Sequence, residues 1–167
     1  GSVETTVGVQ FSSISKGETL ADTIRVIEGY SDVIVLRHPE VGSAEIAASV
    51  SRKPVINGGD GPGEHPTQAL LDLYTIQKER DTIDGTTIAF VGDLRYGRTV
   101  HSLIQLLDRF QGVRVVLTSP PSLGLPDALK NRMVQRGVHI EIADSLHDAA
   151  RAADVMYVTR IQAERFE

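Results

Sequence analysis

The chain has 167 residues, a formal net charge of -5, 41% hydrophobic and 23% charged residues, which is the composition of an ordinary globular protein with one sizeable core or two small ones. The acidity argues against a nucleic-acid protein, since phosphate-backbone binding needs a basic face. With no cysteine, disulfides and thiolate metal sites are excluded, and aliphatic runs such as Val33-Ile34-Val35-Leu36 are far too short to cross a bilayer. No signal or transit segment precedes the first strand, and Gly1-Ser2 reads as a cloning remnant. The expectation is a cytoplasmic protein with no membrane or nucleic-acid partner.

Thr5 to Phe11 alternates weakly and reads as a strand, followed by the polar loop Ser12 to Gly17. Glu18 to Glu28 places Leu20, Ile24 and Ile27 on one helical face. A buried strand is expected over Asp32 to Leu36, ending at Arg37-His38-Pro39; a short helix over Glu45 to Val50 and a strand over Pro54 to Asn57 follow. These crossover lengths suit a parallel sheet. A glycine-dense loop then ends at His65, where Pro66 supplies a fixed φ and a dispensable N–H to start a helix. That helix carries Ala69, Leu70, Leu71, Leu73, Tyr74 and Ile76, more than one apolar stripe, and is expected to be shared between two α/β halves.

Asp81 to Gly85 is turn-rich and reads as a hinge. Thr86 to Val91 is a strand, and the helix after it has Val100, Leu103, Ile104 and Leu107 at amphipathic spacing. Strands are expected over Val113 to Thr118, Val138 to Ile142 and Asp154 to Val158, with helices over Asp127 to Gln135 and over Ser145 to Ala152, the latter capped by Ser145. The fold class is α/β, with two successive parallel-sheet halves joined by the central helix. The last strand runs into Thr159-Arg160-Ile161-Gln162 with no full covering helix after it. A parallel sheet is covered on both faces, so a piece of a longer protein is expected.

In an open parallel sheet, ligands bind outside the carboxyl ends of the strands. Arg37, Arg98 and Arg160 fall there, and the guanidinium fork suits carboxylate and phosphate. Each alone reads equally as a solvated loop residue; together they point to a small, multiply anionic substrate. His65 reads either as a structural or exposed loop histidine or, because it precedes a helix N-terminus where a developing negative charge is favoured, as a neutral imidazole that stabilises an oxyanion. The other histidines lack metal-ligand spacing, so no metal site is expected. Gly92 to Thr99 nearly matches G-x-x-x-x-G-K-[ST], with Arg98 in place of the lysine. No later strand ends in an aspartate to help hold magnesium, which weighs against a nucleotide site. No G-x-G-x-x-G occurs. Lys16 reads either as solvated or as reaching another subunit's site from a Ser-rich loop.

The segments KGETLADT (Lys16 to Thr23), VLRHP (Val35 to Pro39), GEHPTQALLDL (Gly63 to Leu73), VGDLRYGRTVHSL (Val91 to Leu103) and YVTRIQAERF (Tyr157 to Phe166) together resemble the catalytic chain of the aspartate carbamoyltransferase family, in order and spacing over essentially the whole sequence. The VGDLRYGRTVHS stretch favours the aspartate over the ornithine branch. The resemblance implies carbamoyl transfer from carbamoyl phosphate to the amino group of L-aspartate, in pyrimidine biosynthesis, without a cofactor. It implies that Arg37 and His65 polarise the carbamoyl carbonyl, that Gln68 holds its amide, that Arg98 takes the α-carboxylate of aspartate, and that Arg160 and Gln162 take the β-carboxylate. Ser12 and Lys16 would lie on a loop reaching carbamoyl phosphate, and for Lys16 aspartate as well, in a neighbouring subunit of a homotrimer.

Residues 3–80 would be the C-terminal part of a carbamoyl-phosphate-binding half including the linking helix, and 81–167 the N-terminal part of an aspartate-binding half. The family's S-T-R-T phosphate cradle and its H-P-L-P segment are absent from the sequence, so this polypeptide alone is expected to be inactive. A non-catalytic anion-binding or assembly module and a P-loop-like nucleotide-binding domain are the alternatives.

Overall fold

The computed structural model describes residues 2–3 and 17–160. The strand expected over Thr5 to Phe11, the loop residues Ser12 and Lys16, and Gln162 lie outside the described residues. The chain packs as two units, Gly1–Gly61 and Pro62–Glu167.

In the first unit, Thr19 caps helix α1 (Leu20–Ile27) by accepting the Asp22 N–H at 3.2 Å, satisfying a donor that the first turn cannot. Strand β1 (Ile34–His38), helix α2 (Ser43–Val50) and strand β2 (Val55–Asp60) follow, with β1 and β2 parallel. Ile24, Ile34 and Ala47 form the core between helices and sheet, while Val35 and Ile56 are exposed. Both strands outrun the expected ends. Pairing resumes after a register shift between Leu36 and His38, where Gly58 allows β2 to approach: a Cβ there would lie 3.2 Å from the Leu36 carbonyl oxygen.

The second unit begins with helix α3 (Pro66–Arg80), which has Pro66 in its first turn and ends where Asp81 adopts a left-handed φ of 62°. It buries Ala69, Leu73 and Ile76 and leaves Leu70, Leu71 and Tyr74 exposed, so the two-sided apolar pattern is real while one side only is covered among the described residues. Strand β3 (Thr87–Val91), helix α4 (Arg98–Leu106), strand β4 (Arg114–Thr118), helix α5 (Asp127–Gln135), strand β5 (His139–Ile142), helix α6 (Leu146–Ala152) and strand β6 (Val155–Val158) complete it. Ser145 caps α6 as expected, accepting the Asp148 N–H at 3.1 Å.

The four strands form one parallel sheet in the order β5-β4-β3-β6. Ile88 and Phe90 face α4 and α5, where they meet Val100, Leu103, Ile104 and Met133, while Ala89 and Val116 pack with Ala149 of α6 on the other face. Burial of one such large apolar side chain contributes about 1.5–3 kcal/mol. Helix α3 packs against α4. Chain order runs outward from β3 through β4 to β5, then returns to place β6 on the opposite side of β3. The sheet therefore has a switch point between β3 and β6. Among the described residues, no helix is long and apolar enough to cross a membrane.

Candidate functional site

At a switch point the connections leave adjacent strands in opposite directions, opening a crevice at the carboxyl ends. An open pocket of about 320 Å³ lies there. The β3 side contributes Asp93, Tyr96, Arg98 and Thr99, and the β6 side contributes Tyr157, Thr159 and Arg160. Two of the arginines expected from sequence, Arg98 at the start of α4 and Arg160 beyond β6, thus line one cavity.

The walls are held by a small number of specific bonds. Gly92 has φ 106°, a region open to glycine, and the missing side chain admits Thr159, whose Oγ1 would be 2.6 Å from a Cβ. Thr159 Oγ1 accepts the Asp93 N–H at 2.7 Å and donates to the Val91 carbonyl at 3.0 Å. The carboxylate of Asp93, which is 3% exposed, accepts the Tyr96 N–H at 2.9 Å. His101 Nε2 donates to the Leu94 carbonyl at 2.9 Å. The loop from Gly92 to Gly97 is therefore fixed to both α4 and β6.

The same bonds decide against a P-loop. A phosphate cradle needs successive backbone N–H groups converging on one anion. Here the N–H groups of Gly92, Asp93, Leu94, Tyr96 and Arg98 donate to Thr118, Thr159, Leu123, Asp93 and Tyr96 respectively. They are spent inside the protein, so the near match in sequence does not build the cradle.

At the start of α3, the His65 carbonyl accepts the N–H groups of Gln68 and Ala69 at 3.1 and 3.2 Å, and its own N–H donates to Ser102 Oγ at 2.8 Å. Ser102, 4% exposed, in turn donates to the Glu64 carboxylate, which also accepts from Gln105 Nε2 at 2.6 Å. His65 is thereby fixed to α4, and its Nδ1 lies 3.3 Å from the Thr67 hydroxyl. Gln68 Nε2 donates to Asp72 Oδ1 at 2.9 Å, and the Tyr157 hydroxyl donates to Asp72 Oδ2 at 2.9 Å. Burial, and to a smaller degree the Asp72 carboxylate, raises the Tyr157 phenol to about 12.

Arg37 belongs to the first unit, where it is exposed on β1 at the register shift. Ser12, Lys16 and Gln162 lie outside the described residues. Sequence reasoning passed over Asp72, Ser102, Tyr157 and Thr159. Only their positions hinted at a role: Asp72 one helical turn after Gln68, Thr159 beside Arg160, and Ser102 one turn after Arg98. Among the described residues, no group of three or more His, Asp or Glu side chains is placed to hold a metal ion.

Two family models match the chain. Residues 2–78 match the domain described as aspartate/ornithine carbamoyltransferase, carbamoyl-P binding domain, and residues 84–167 match aspartate/ornithine carbamoyltransferase, Asp/Orn binding domain. The chain belongs to the aspartate/ornithine carbamoyltransferase family. Within it, the chain is 55% identical to the aspartate carbamoyltransferase catalytic subunit of Thermoplasma acidophilum, over 99% of this chain and 54% of the relative. It is 54% identical to the chloroplastic aspartate carbamoyltransferase of Arabidopsis thaliana, over 94% of this chain and 40% of the relative. A crystal structure of Trypanosoma cruzi aspartate transcarbamoylase in complex with carbamoyl aspartate and phosphate superposes with a TM-score of 0.86 at 48% identity, covering 96% of this chain and 54% of that one. The chain spans about half the length of the curated relatives it matches.

Proposed function

We propose that the chain forms the central part of an aspartate carbamoyltransferase, transferring the carbamoyl group of carbamoyl phosphate to the α-amino group of L-aspartate to give N-carbamoyl-L-aspartate and phosphate. The observation that carries this reading is the pocket at the β3/β6 switch point, which brings Arg98 and Arg160 to one cavity. Two guanidinium forks on a 320 Å³ cavity suit a small dicarboxylate. Relatives named for the aspartate reaction support the choice of substrate.

In this reading Arg98 takes the α-carboxylate of aspartate, and Arg160 with Gln162 takes the β-carboxylate. The neutral amine attacks the carbamoyl carbon. His65 and Arg37 stabilise the oxyanion that forms, Gln68 holds the carbamoyl NH2, and the C–O bond to phosphate breaks. The departing phosphate accepts the amine proton, so no covalent intermediate is needed. Orientation and electrostatics supply the rate. Residues 3–80 serve the carbamoyl phosphate side and 81–167 the aspartate side, and exclusion of water from the reacting groups strengthens the electrostatics.

The acting protein is the polypeptide that also carries the other half of the family's length, a cytoplasmic homotrimer in which Ser12 and Lys16 serve a neighbouring subunit. The exposed Leu70, Leu71 and Tyr74 stripe supports burial against further polypeptide. The isolated 167-residue chain is inactive in this reading.

Arg98→Ala and Arg160→Ala in the complete protein test it. Loss of a charge-assisted bond of about 1.5–3 kcal/mol weakens aspartate binding by roughly 10- to 150-fold. Calorimetry should show this with carbamoyl phosphate binding little changed. Undiminished aspartate binding in both variants would overturn the assignment of the pocket.

A further inference from the structure

Asp72 stands one turn along α3 from Gln68, and its two carboxylate oxygens are divided between two partners: Gln68 Nε2 donates to one at 2.9 Å and the Tyr157 hydroxyl to the other at 2.9 Å. All three side chains are half-buried. A glutamine amide is nearly symmetric in shape but not in hydrogen-bonding sense, so its neighbour decides which end faces a ligand. A carboxylate accepts only. The end that Gln68 turns to Asp72 must therefore be its NH2, which leaves the carbonyl Oε1 for whatever binds beside α3. Tyr157, by donating to the second oxygen, ties this arrangement to β6, the strand that leads into Thr159 and Arg160.

We propose that Asp72 is a specificity-determining positioning residue: it holds Gln68 with Oε1 outward, so that the site prefers an acyl phosphate bearing NH2 over one bearing CH3. The inference rests on the reading of Gln68 as the residue that holds the carbamoyl amide. Carbamoyl phosphate and acetyl phosphate differ by that one group. The NH2 donates to Oε1, whereas a methyl group leaves Oε1 unpaired, and a site built to hydrogen-bond a group discriminates against the analogue lacking it.

The test is calorimetric titration of the complete protein with carbamoyl phosphate and with acetyl phosphate, in the wild type, Gln68→Ala, Asp72→Leu and Asp72→Asn. The wild type should prefer carbamoyl phosphate by about tenfold or more, and Gln68→Ala should abolish the preference. Asp72→Leu keeps the size but offers no acceptor, so Gln68 must be ordered by the ligand and the preference should fall about fivefold, through carbamoyl phosphate alone. Asp72→Asn can still accept through Oδ1 and should restore most of the preference. A general structural role would weaken both ligands equally and would not be rescued by asparagine. Should Asp72→Leu fail to fold, Asp72→Ala gives the same comparison. A preference that survives Gln68→Ala, or that the wild type lacks, overturns the reading of Gln68. A preference lost in Gln68→Ala but kept in Asp72→Leu, or lost equally in Asp72→Asn, overturns the role of Asp72 alone.

Discussion

Gly92 is the position where the close approach of β6 to the β3 loop can be measured as stability. Alanine there must adopt φ 106°, and its Cβ would lie 2.6 Å from Thr159 Oγ1 and 2.8 Å from the Thr159 carbonyl oxygen. The backbone strain costs about 1–3 kcal/mol. Thr159 has to retreat, and its hydroxyl carries both the Asp93 N–H at 2.7 Å and the contact to the Val91 carbonyl at 3.0 Å. Loss of each bond costs about 1 kcal/mol, so the total is about 3–5 kcal/mol against a whole-domain stability of about 5–15 kcal/mol.

Gly137→Ala is the control. Gly137 also has a positive φ, 89°, but a Cβ there meets nothing within 4 Å, so strain alone should cost about 1–2 kcal/mol. Urea unfolding of the two variants, compared at equal m-value, separates strain from collision. If Gly92→Ala were no more destabilising than Gly137→Ala, Thr159 would not occupy the space that the glycine leaves, and the account of the pocket wall would be wrong. Because Arg160 follows Thr159 directly, Gly92→Ala should also weaken aspartate binding by the complete protein, and Gly137→Ala should not.

Tyr157 should leave an alkaline signature: its phenol is raised by burial from 10.0 to about 12 in the folded chain. Below pH 10 both folded and unfolded states keep the proton, so this contribution is fully present. Between about pH 10 and 12 only the unfolded state releases it, and stability is lost as pH rises. Ultraviolet titration of the four tyrosines should show one lagging phenol that disappears in Tyr157→Phe; a single unshifted transition would refute its burial. Ser102→Ala removes the hydroxyl that accepts the His65 N–H at 2.8 Å and donates to Glu64. It should cost about 1–3 kcal/mol and accelerate amide exchange at His65, and unchanged exchange at that residue would count against the bond.

Much of the molecule was legible in the residues because its signals are local. Pro66 and the stripes behind it marked α3, the i, i+3, i+4 spacing from Val100 marked α4, and Ser145 marked its own helix as a cap. Arg37, Arg98 and Arg160 were legible as one group because a parallel sheet sends the carboxyl ends of its strands to one edge, whatever the order of those strands; Arg98 and Arg160 line one pocket, whereas Arg37 belongs to the sheet of the first unit. Strand limits were less legible: β1 and β2 continue past their expected ends because pairing, and not composition, holds the last residues.

The sequence by itself therefore determined the α/β class and, among the described residues, the order of helices and strands, and it pointed to the carboxyl edge of the sheet as the place to look for a site. The tertiary structure alone decided that β6 returns beside β3, with Phe90 opposite Tyr157 and Val91 opposite Val158. That register brings Thr159 to Asp93 across 66 positions of chain and Tyr157 to Asp72 across 85. A hydrogen bond needs its two groups placed within a few tenths of an ångström. Periodicity along a strand or helix says which face a side chain takes, but only the strand order and register say which distant group it meets there.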